Sequence, residues 1–218
     1  MALLTCEINC YGECLMSAGS LFVVSAPSGA GKTSLLAEVM QHAEQLDVSV
    51  SYTTRPKRPL ETEGENYFFI SPEKFDIMRS EHAFLESATV FGYEYGTSRA
   101  WVEERLQQNR DVVLEIDWQG ALQVKEHFPE AVLIFILPPT IEHLEQRLKA
   151  RAQDTAVVQA ERLSQARLEI SKYEYFDYLI VNDDFQRACR DIAGVFQSYT
   201  LTRSRQVPRL HDLINSLL

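Results

Sequence analysis

The sequence predicts an α/β protein with a parallel sheet core, a small mixed-β insertion and a second, helical insertion. Three observations carry this. Apolar, β-branched runs recur at Leu21–Val24, Val112–Asp117, Ala131–Pro139 and Tyr178–Asp183, separated by stretches of helical character. Such runs mark strands buried on both faces of a sheet. Two segments, residues 51 to about 98 and 143 to 168, break that alternation with patterns of their own.

In chain order, Leu21–Val24 reads as a buried strand, followed by a glycine-rich turn and a helix through SLLAEVMQHAEQL. ENYFFI and AFLESATVFGYEYGTS have the mixed polarity of short strands in a small sheet. SPEKFDIMRS between them reads as a helix, with Ser71 as cap and Pro72 at its first position. In HLEQRLKARAQDTAVVQAERLSQARL, Ile141, Leu144 and Leu148 form an apolar stripe, and Asp154 or Thr155 caps a following helix. That unit carries Arg147, Lys149, Arg151, Arg162 and Arg167, which suits a mobile basic lid. From Asp184 the chain reads as helix, ending beyond Pro208 in the amphipathic tail HDLINSLL. The resulting division is an N-terminal extension at 1–19, a core at 20–50, 111–142 and 168–218, and insertions at 51–110 and 143–167.

Composition excludes several classes. A formal net charge of −10 and a pI near 5.0 argue against a nucleic-acid or membrane-surface binder. No apolar run reaches the length of a membrane span, and the N-terminus lacks the basic start and apolar stretch of a signal peptide. A cytoplasmic protein is the expectation; the sequence does not choose between monomer and homo-oligomer. Cys6, Cys10 and Cys14 fall at helical spacing without a nearby histidine or fourth cysteine, so they read as part of a poorly ordered extension, with Met16 an alternative start. Cys189 reads as a core thiol, and the five histidines show no ligand spacing.

SAPSGAGKTS, residues 25–34, departs from the phosphate-cradling pattern G-x-x-x-x-G-K-[ST] only at Ala26. The pattern needs backbone N–H groups converging on phosphate oxygens, a helix N-terminus, a lysine and a metal-binding hydroxyl. Gly29 and Gly31 allow the turn, Lys32 reaches the β- and γ-phosphates, and Thr33 can ligate Mg²⁺. Ala26 is tolerable if its φ is negative, which Pro27 favours. Ala26, Pro27, Ser28, Gly29, Ala30, Gly31, Lys32 and Thr33 are therefore candidate nucleoside-triphosphate contacts.

Past the first helix, Arg55 and Arg58 flank Pro56–Lys57, and two guanidinium forks so placed match phosphate oxygens bidentately. Tyr67 can add a neutral hydrogen bond. The other reading of this turn is a solvated basic loop paired with Glu61, Glu63 and Glu65. Glu115 and Asp117 alternate with Ile116, so both are expected on one face at the strand's C-terminal end, where ligands sit in parallel sheets.

SAPSGAGKTS, SYTTRPKR, GENYFF, FLESA, YGTS, LEIDWQG and IVNDD, in this order, resemble the guanylate kinases over roughly residues 20 to 205. The resemblance implies a P-loop nucleoside-monophosphate-kinase fold and Mg²⁺-dependent transfer from ATP to GMP or dGMP, giving ADP and GDP. By it, Ser51, Arg55, Arg58, Tyr67 and Tyr95 hold the GMP phosphate, and Glu86, Thr97 and Asp117 read guanine. Residues 51–110 become the GMP-binding insertion and 143–167 the lid. Arg151 and Arg162 close over the transferring group, Arg147 and Asn182 flank the ATP base, and Glu115 lies near the hydrated Mg²⁺. Three of these positions keep a second reading: Arg147 as a solvated arginine, Asn182 as a helix cap, Glu115 as a cap or arginine partner. Ala152 stands where the family usually has glycine, which bears on the lid hinge. A ribose-bisphosphate kinase and an inactive guanylate-kinase-like interaction module are the alternatives; Glu86, Thr97 and Asp117 weigh against the first, the intact loop against the second.

Overall fold

The computed structural model describes residues 19–43, 45–149 and 156–218. The cysteine-bearing extension, Met16, Arg151, Ala152, Asp154 and Thr155 lie outside the described residues. Strand β1 (Leu21–Ser25) leads through the glycine-rich loop into helix α1 (Lys32–Met40) and strand β2 (Leu46–Val48). Then come β3 (Tyr52–Thr53), β4 (Phe68–Phe69), α2 (Pro72–Ser80), β5 (Phe84–Val90), β6 (Tyr93–Ser98) and α3 (Arg99–Gln107). Next are β7 (Asp111–Glu115), α4 (Trp118–His127), β8 (Val132–Leu137), α5 (Ile141–Lys149) and α6 (Ala156–Ile170). The chain ends with β9 (Tyr178–Val181), α7 (Phe185–Thr200), α8 (Arg203–Arg209) and α9 (His211–Leu217).

Two sheets result. The core sheet is parallel with order β2-β7-β1-β8-β9, and the smaller mixed sheet has order β4-β3-β6-β5. The strict alternation of β1 explains why both faces of the core are covered. Phe22 and Val24 pack on one side with Leu35 and Val39 of α1 and Ile192 and Phe196 of α7. Leu21 and Val23 pack on the other with Val102 and Leu106 of α3 and Ala121 and Val124 of α4. Helices α5 and α6 meet through Leu144 and Ala166, flanked by Ile141 and Ile170. Among the described residues no helix is long and apolar enough to cross a membrane.

Three local expectations change. The first helix stops at Met40, and Leu46–Val48 pairs in parallel with Asp111–Val113 as an edge strand. Val39, Met40, Ala43 and Leu46 keep helical spacing on paper, and a three-residue strand is too short for its own period to compete. Strand β7 ends at Glu115, and Asp117 is the N-cap of α4, its Oδ1 accepting from Gly120 N at 3.0 Å. An aspartate followed by a helix-compatible stretch ends a strand more readily than it extends one. The C-terminal helix is three helices, with Pro208 inside α8. Helix α2 starts as the sequence implies, with Ser71 Oγ accepting from Lys74 N and Pro72 first in the helix.

Candidate active site

The C-terminal ends of β1, β7 and β9 deliver the phosphate loop, Glu115 with Asp117, and Asn182 to one edge of the core sheet. Parallel sheets present their ligand crevice at this edge. Gly29 and Gly31 have φ of 90° and 98°, the left-handed region that glycine enters without penalty. Ala26 is not among the described residues of positive φ, and its methyl packs on the core cluster behind β1. The absent first glycine therefore leaves the backbone of the loop undisturbed.

Side chains from outside brace this loop. Asn182, only 4% exposed, donates its Nδ2 to Ala30 O at 2.7 Å, and Arg147 Nη1 donates to the same oxygen at 3.1 Å. Asp184, not Asn182, caps α7. A Cβ at position 31 would lie 2.6 Å from Asn182 Nδ2, so glycine is required there for packing as well as for φ. Ala30 N closes a turn onto Pro27 O at 3.0 Å. The N–H groups of Gly29, Gly31, Lys32 and Thr33 take no partner among the described residues, and α1 has no side-chain cap. An uncapped helix start with free N–H groups is an anion site in waiting.

Lys32 Nζ donates to Ile116 O at 2.9 Å, and Thr33 Oγ1 donates to Glu115 Oε1 at 2.5 Å. This places Glu115 beside the P-loop hydroxyl, not on an arginine. A hydroxyl and a carboxylate in contact, Thr33 exposed and Glu115 half-buried, form a hard-oxygen donor set that fits Mg²⁺.

On the small sheet Arg55 and Glu61 form a bidentate pair, Nη1–Oε2 at 3.0 Å and Nη2–Oε1 at 2.6 Å. Glu61 also accepts from Arg58 N at 2.8 Å, which puts the two arginines on one turn. The Arg55 hydrogen bond holds Glu61 below the usual carboxylate range, and Glu61, then Tyr95, favours the Arg55 charge. The Arg55 guanidinium lies over Tyr67 at 5.4 Å and Phe69 at 5.8 Å, and the Tyr67 and Tyr95 rings meet edge to face. Burial, reinforced by the charge of Glu115, pushes Tyr67 up to about 12, so it stays a neutral donor. Ser51, also buried, precedes β3 on the same sheet.

Glu86 and Thr97 face each other across the β5–β6 ladder, and Thr97 Oγ1 donates to Glu86 Oε1 at 2.6 Å. Glu86 is only 4% exposed, and burial raises its carboxyl to about 7, with the nearby charge of Asp117 adding to the rise. Lys32 opposes that shift, so the buried carboxylate and the P-loop lysine share one electrostatic environment. Gly120 makes room for it: a Cβ there would come within 2.3 Å of Glu86 Oε2. Asp117 is held by Gly120 N and by Gln119 Nε2 at 3.0 Å, so the Gln-Gly of LEIDWQG serves to fix its carboxylate. In the helical unit Arg162 lies over the Phe91 ring at 5.8 Å.

Three positions carry weight that sequence reasoning missed. Glu61 was visible only as one of three acidic neighbours. Gln123 ties α4 to the backbone of Ser87 from both its amide atoms. Glu169 of α6 accepts from Ser28 N at 3.1 Å.

Comparison with known proteins points to one family. The sequence model of the guanylate kinase family matches residues 18–199. A guanylate kinase of Methylococcus capsulatus is 51% identical over 203 residues, covering 93% of this chain and 100% of that protein. One from Coxiella burnetii is 47% identical over 203 residues, 93% of this chain and 98% of the relative. The crystal structure of guanylate kinase from Anaplasma phagocytophilum superposes with a TM-score of 0.73 at 33% identity, covering 87% of this chain and 90% of the other. A family match over most of the length, on a phosphate loop and buried carboxylate so arranged, leaves one conclusion: the chain belongs to the guanylate kinase family.

Proposed function

We propose that the chain transfers the γ-phosphoryl group of ATP to GMP, or dGMP, using the residues gathered at this edge of the core sheet. The observation that carries the reading is Glu86, a buried carboxylate hydrogen-bonded by Thr97 and lying within the fields of Asp117 and Lys32. Guanine offers two donors, N1–H and the 2-amino group, to a carboxylate acceptor. Adenine presents an acceptor at N1, which would leave the carboxylate unpaired, and sites built on such pairs reject strongly. Thr97 supplies the donor to O6 by turning its hydroxyl from Glu86 to the base.

The acceptor is a phosphate oxygen that is already an anion, so the reaction needs positioning and charge neutralisation rather than a general base. An oxygen of GMP attacks the γ-phosphorus, and the bond to the bridging oxygen of the departing ADP breaks. Lys32 exchanges its bond to Ile116 O for phosphate oxygens, while the open loop N–H groups cradle the β-phosphate. Arg55 and Arg58 grip the GMP phosphate with Tyr67, Tyr95 and Ser51, and Arg162 with Arg151 neutralises the transferring group. Arg147 and Asn182, besides bracing the loop, border the ATP base.

Thr33 and Glu115 would hold Mg²⁺, Glu115 through water. When bound, the ion would supply charge neutralisation for the phosphates of the donor. The same reading assigns 20–50, 111–142 and 168–218 to the core, 51–110 to GMP binding and 143–167 to the lid. No observation favours a sugar-phosphate kinase or a non-catalytic module.

ADP production with GMP, dGMP, AMP, UMP and ribose 1,5-bisphosphate as acceptors tests this. GMP and dGMP should dominate. Turnover of ribose bisphosphate rivalling GMP would reject the guanine reading.

A further inference from the structure

Two peptide groups flanking Gly29 are held from outside the loop. The carbonyl of Ala30 accepts from Arg147 of α5 and from Asn182. The N–H of Ser28 donates to Glu169 Oε2 of α6 at 3.1 Å, a bond across 141 residues of chain. Glu169 is only 7% exposed and is one helical turn past Gln165, which also donates to it. Burial raises its carboxyl, and the Ser28 N–H works against that rise. A buried carboxylate is a costly neighbour for a triphosphate, and packing alone does not call for one. What it provides is a strong acceptor aimed at a single backbone donor, and bonds to ionised acceptors are roughly twice as strong as neutral ones.

The local backbone explains the value of that bond. Ala30 N closes the turn on Pro27 O, with Gly29 at φ 90° as its third residue, the pattern of a type II turn. The Ser28 N–H belongs to the same peptide as Pro27 O, the acceptor that closes the turn, so holding that N–H fixes the peptide plane on which the turn is built. With Ser28 N–H turned to Glu169 and Ala30 C=O turned to Asn182 and Arg147, the N–H groups of Gly29, Gly31, Lys32 and Thr33 are left for ligand.

We propose that Glu169 is a positioning residue for the phosphate donor: from α6 it fixes the Ser28 peptide, setting the loop for the triphosphate and tying it to the helical unit that carries Arg162. The proposal rests on reading the loop as the triphosphate site. It predicts that an acceptor at position 169 is the first requirement, with the charge adding strength to the bond.

Calorimetry with a Mg²⁺-bound non-hydrolysable ATP analogue and, separately, GMP tests it in four variants. Glu169→Ala should weaken the analogue about tenfold, the loss expected for one hydrogen bond to a charged partner, with GMP affinity within about twofold. Glu169→Gln keeps an acceptor and should bind the analogue within about threefold of the parent protein. Ser28→Pro removes the donor at a turn position that proline suits, and should weaken the analogue without touching α6. Ser28→Pro combined with Glu169→Ala should be no worse than Glu169→Ala alone, because both delete one bond.

An unchanged analogue affinity in Glu169→Ala overturns the proposal. So does equal weakening of analogue and GMP, the mark of a purely structural role, or Glu169→Gln as weak as Glu169→Ala. Lys32→Ala separates the two levels. If it binds the analogue normally, the triphosphate reading fails and takes the proposal with it. If it does not, any failure above belongs to Glu169 alone.

Discussion

On the donor side of the site the phosphate loop is braced from behind and open in front, whereas on the acceptor side the working groups are engaged with the protein itself. Asn182, Arg147 and Glu169 bind the outer edge of the loop and leave four N–H groups free among the described residues. Arg55, by contrast, spends its fork on Glu61, and Glu86 accepts from Thr97. The donor half is preorganised, which lowers the cost of binding a triphosphate. The acceptor half works by exchange: GMP must offer Arg55 and Glu86 partners better than those they already have. Selectivity belongs in the half where the substrate has to compete.

The comparison breaks first at Lys32. Lys32→Ala should lower kcat by about 100-fold or more, the scale of removing one charge stabiliser, in a protein whose thermal unfolding is unchanged. Glu86→Gln comes next: it presents an amide donor to guanine donors, so KM for GMP should rise about 10- to 100-fold while KM for ATP stays within about twofold. A rise in the ATP value as large would erase the distinction between the halves. Arg55→Lys loses the fork and should raise KM for GMP about tenfold, measured at saturating ATP.

Acidity sharpens the same contrast. Burial first, with Asp117 helping, raises Glu86 to about 7 from an ordinary 4.5. Because the folded value is the higher one, the neutral carboxyl contributes stability that is complete below about 4.5 and lost as pH rises through about 7. Guanine needs the ionised form, so GMP affinity should fall as pH drops below about 7, and the fall should be shallower in Glu86→Gln, where only the substrate phosphate titrates. Steepness unaltered by that substitution would take Glu86 out of base reading.

The smallest kinetic effect belongs to a pair far from the site. Arg205 of α8 bonds Asp111 and Ser20 at the opposite end of the sheet. Arg205→Ala leaves the buried Asp111 carboxylate with the Ser20 N–H but without its cation, and should lower stability by about 3 kcal/mol in denaturant titration, with both KM values unmoved.

Much of this was legible in the sequence because the signals are local. A glycine-rich turn between an apolar strand and a helix states its own backbone, and Gly29 and Gly31 indeed have positive φ. Strands β1, β7 and β8 could be read because burial on both faces makes them continuous apolar runs. Strand β9 has the same apolar composition but is the other edge of the sheet, with Leu179 and Val181 exposed, so the expectation that it is buried on both faces does not hold. Edge strand β2 could not be read, since three residues carry no period. Nor could Asp117 be placed beyond the end of its strand, because capping and alternation write the same letters at a strand–helix junction. The resemblance located Glu86 and Thr97, but only their register across β5 and β6 shows that each holds the other. Glu169 was illegible for a plainer reason: its partner is a backbone N–H 141 residues away, and backbone atoms leave no trace in composition.

The most direct test of the central claim, that the buried Glu86 carboxylate selects the acceptor base, is the ratio of kcat/KM for GMP over AMP in the parent protein and in Glu86→Gln. A high ratio that collapses toward unity, chiefly through loss of GMP turnover, is the expected result. A ratio that survives the substitution would contradict it and move guanine recognition to other residues.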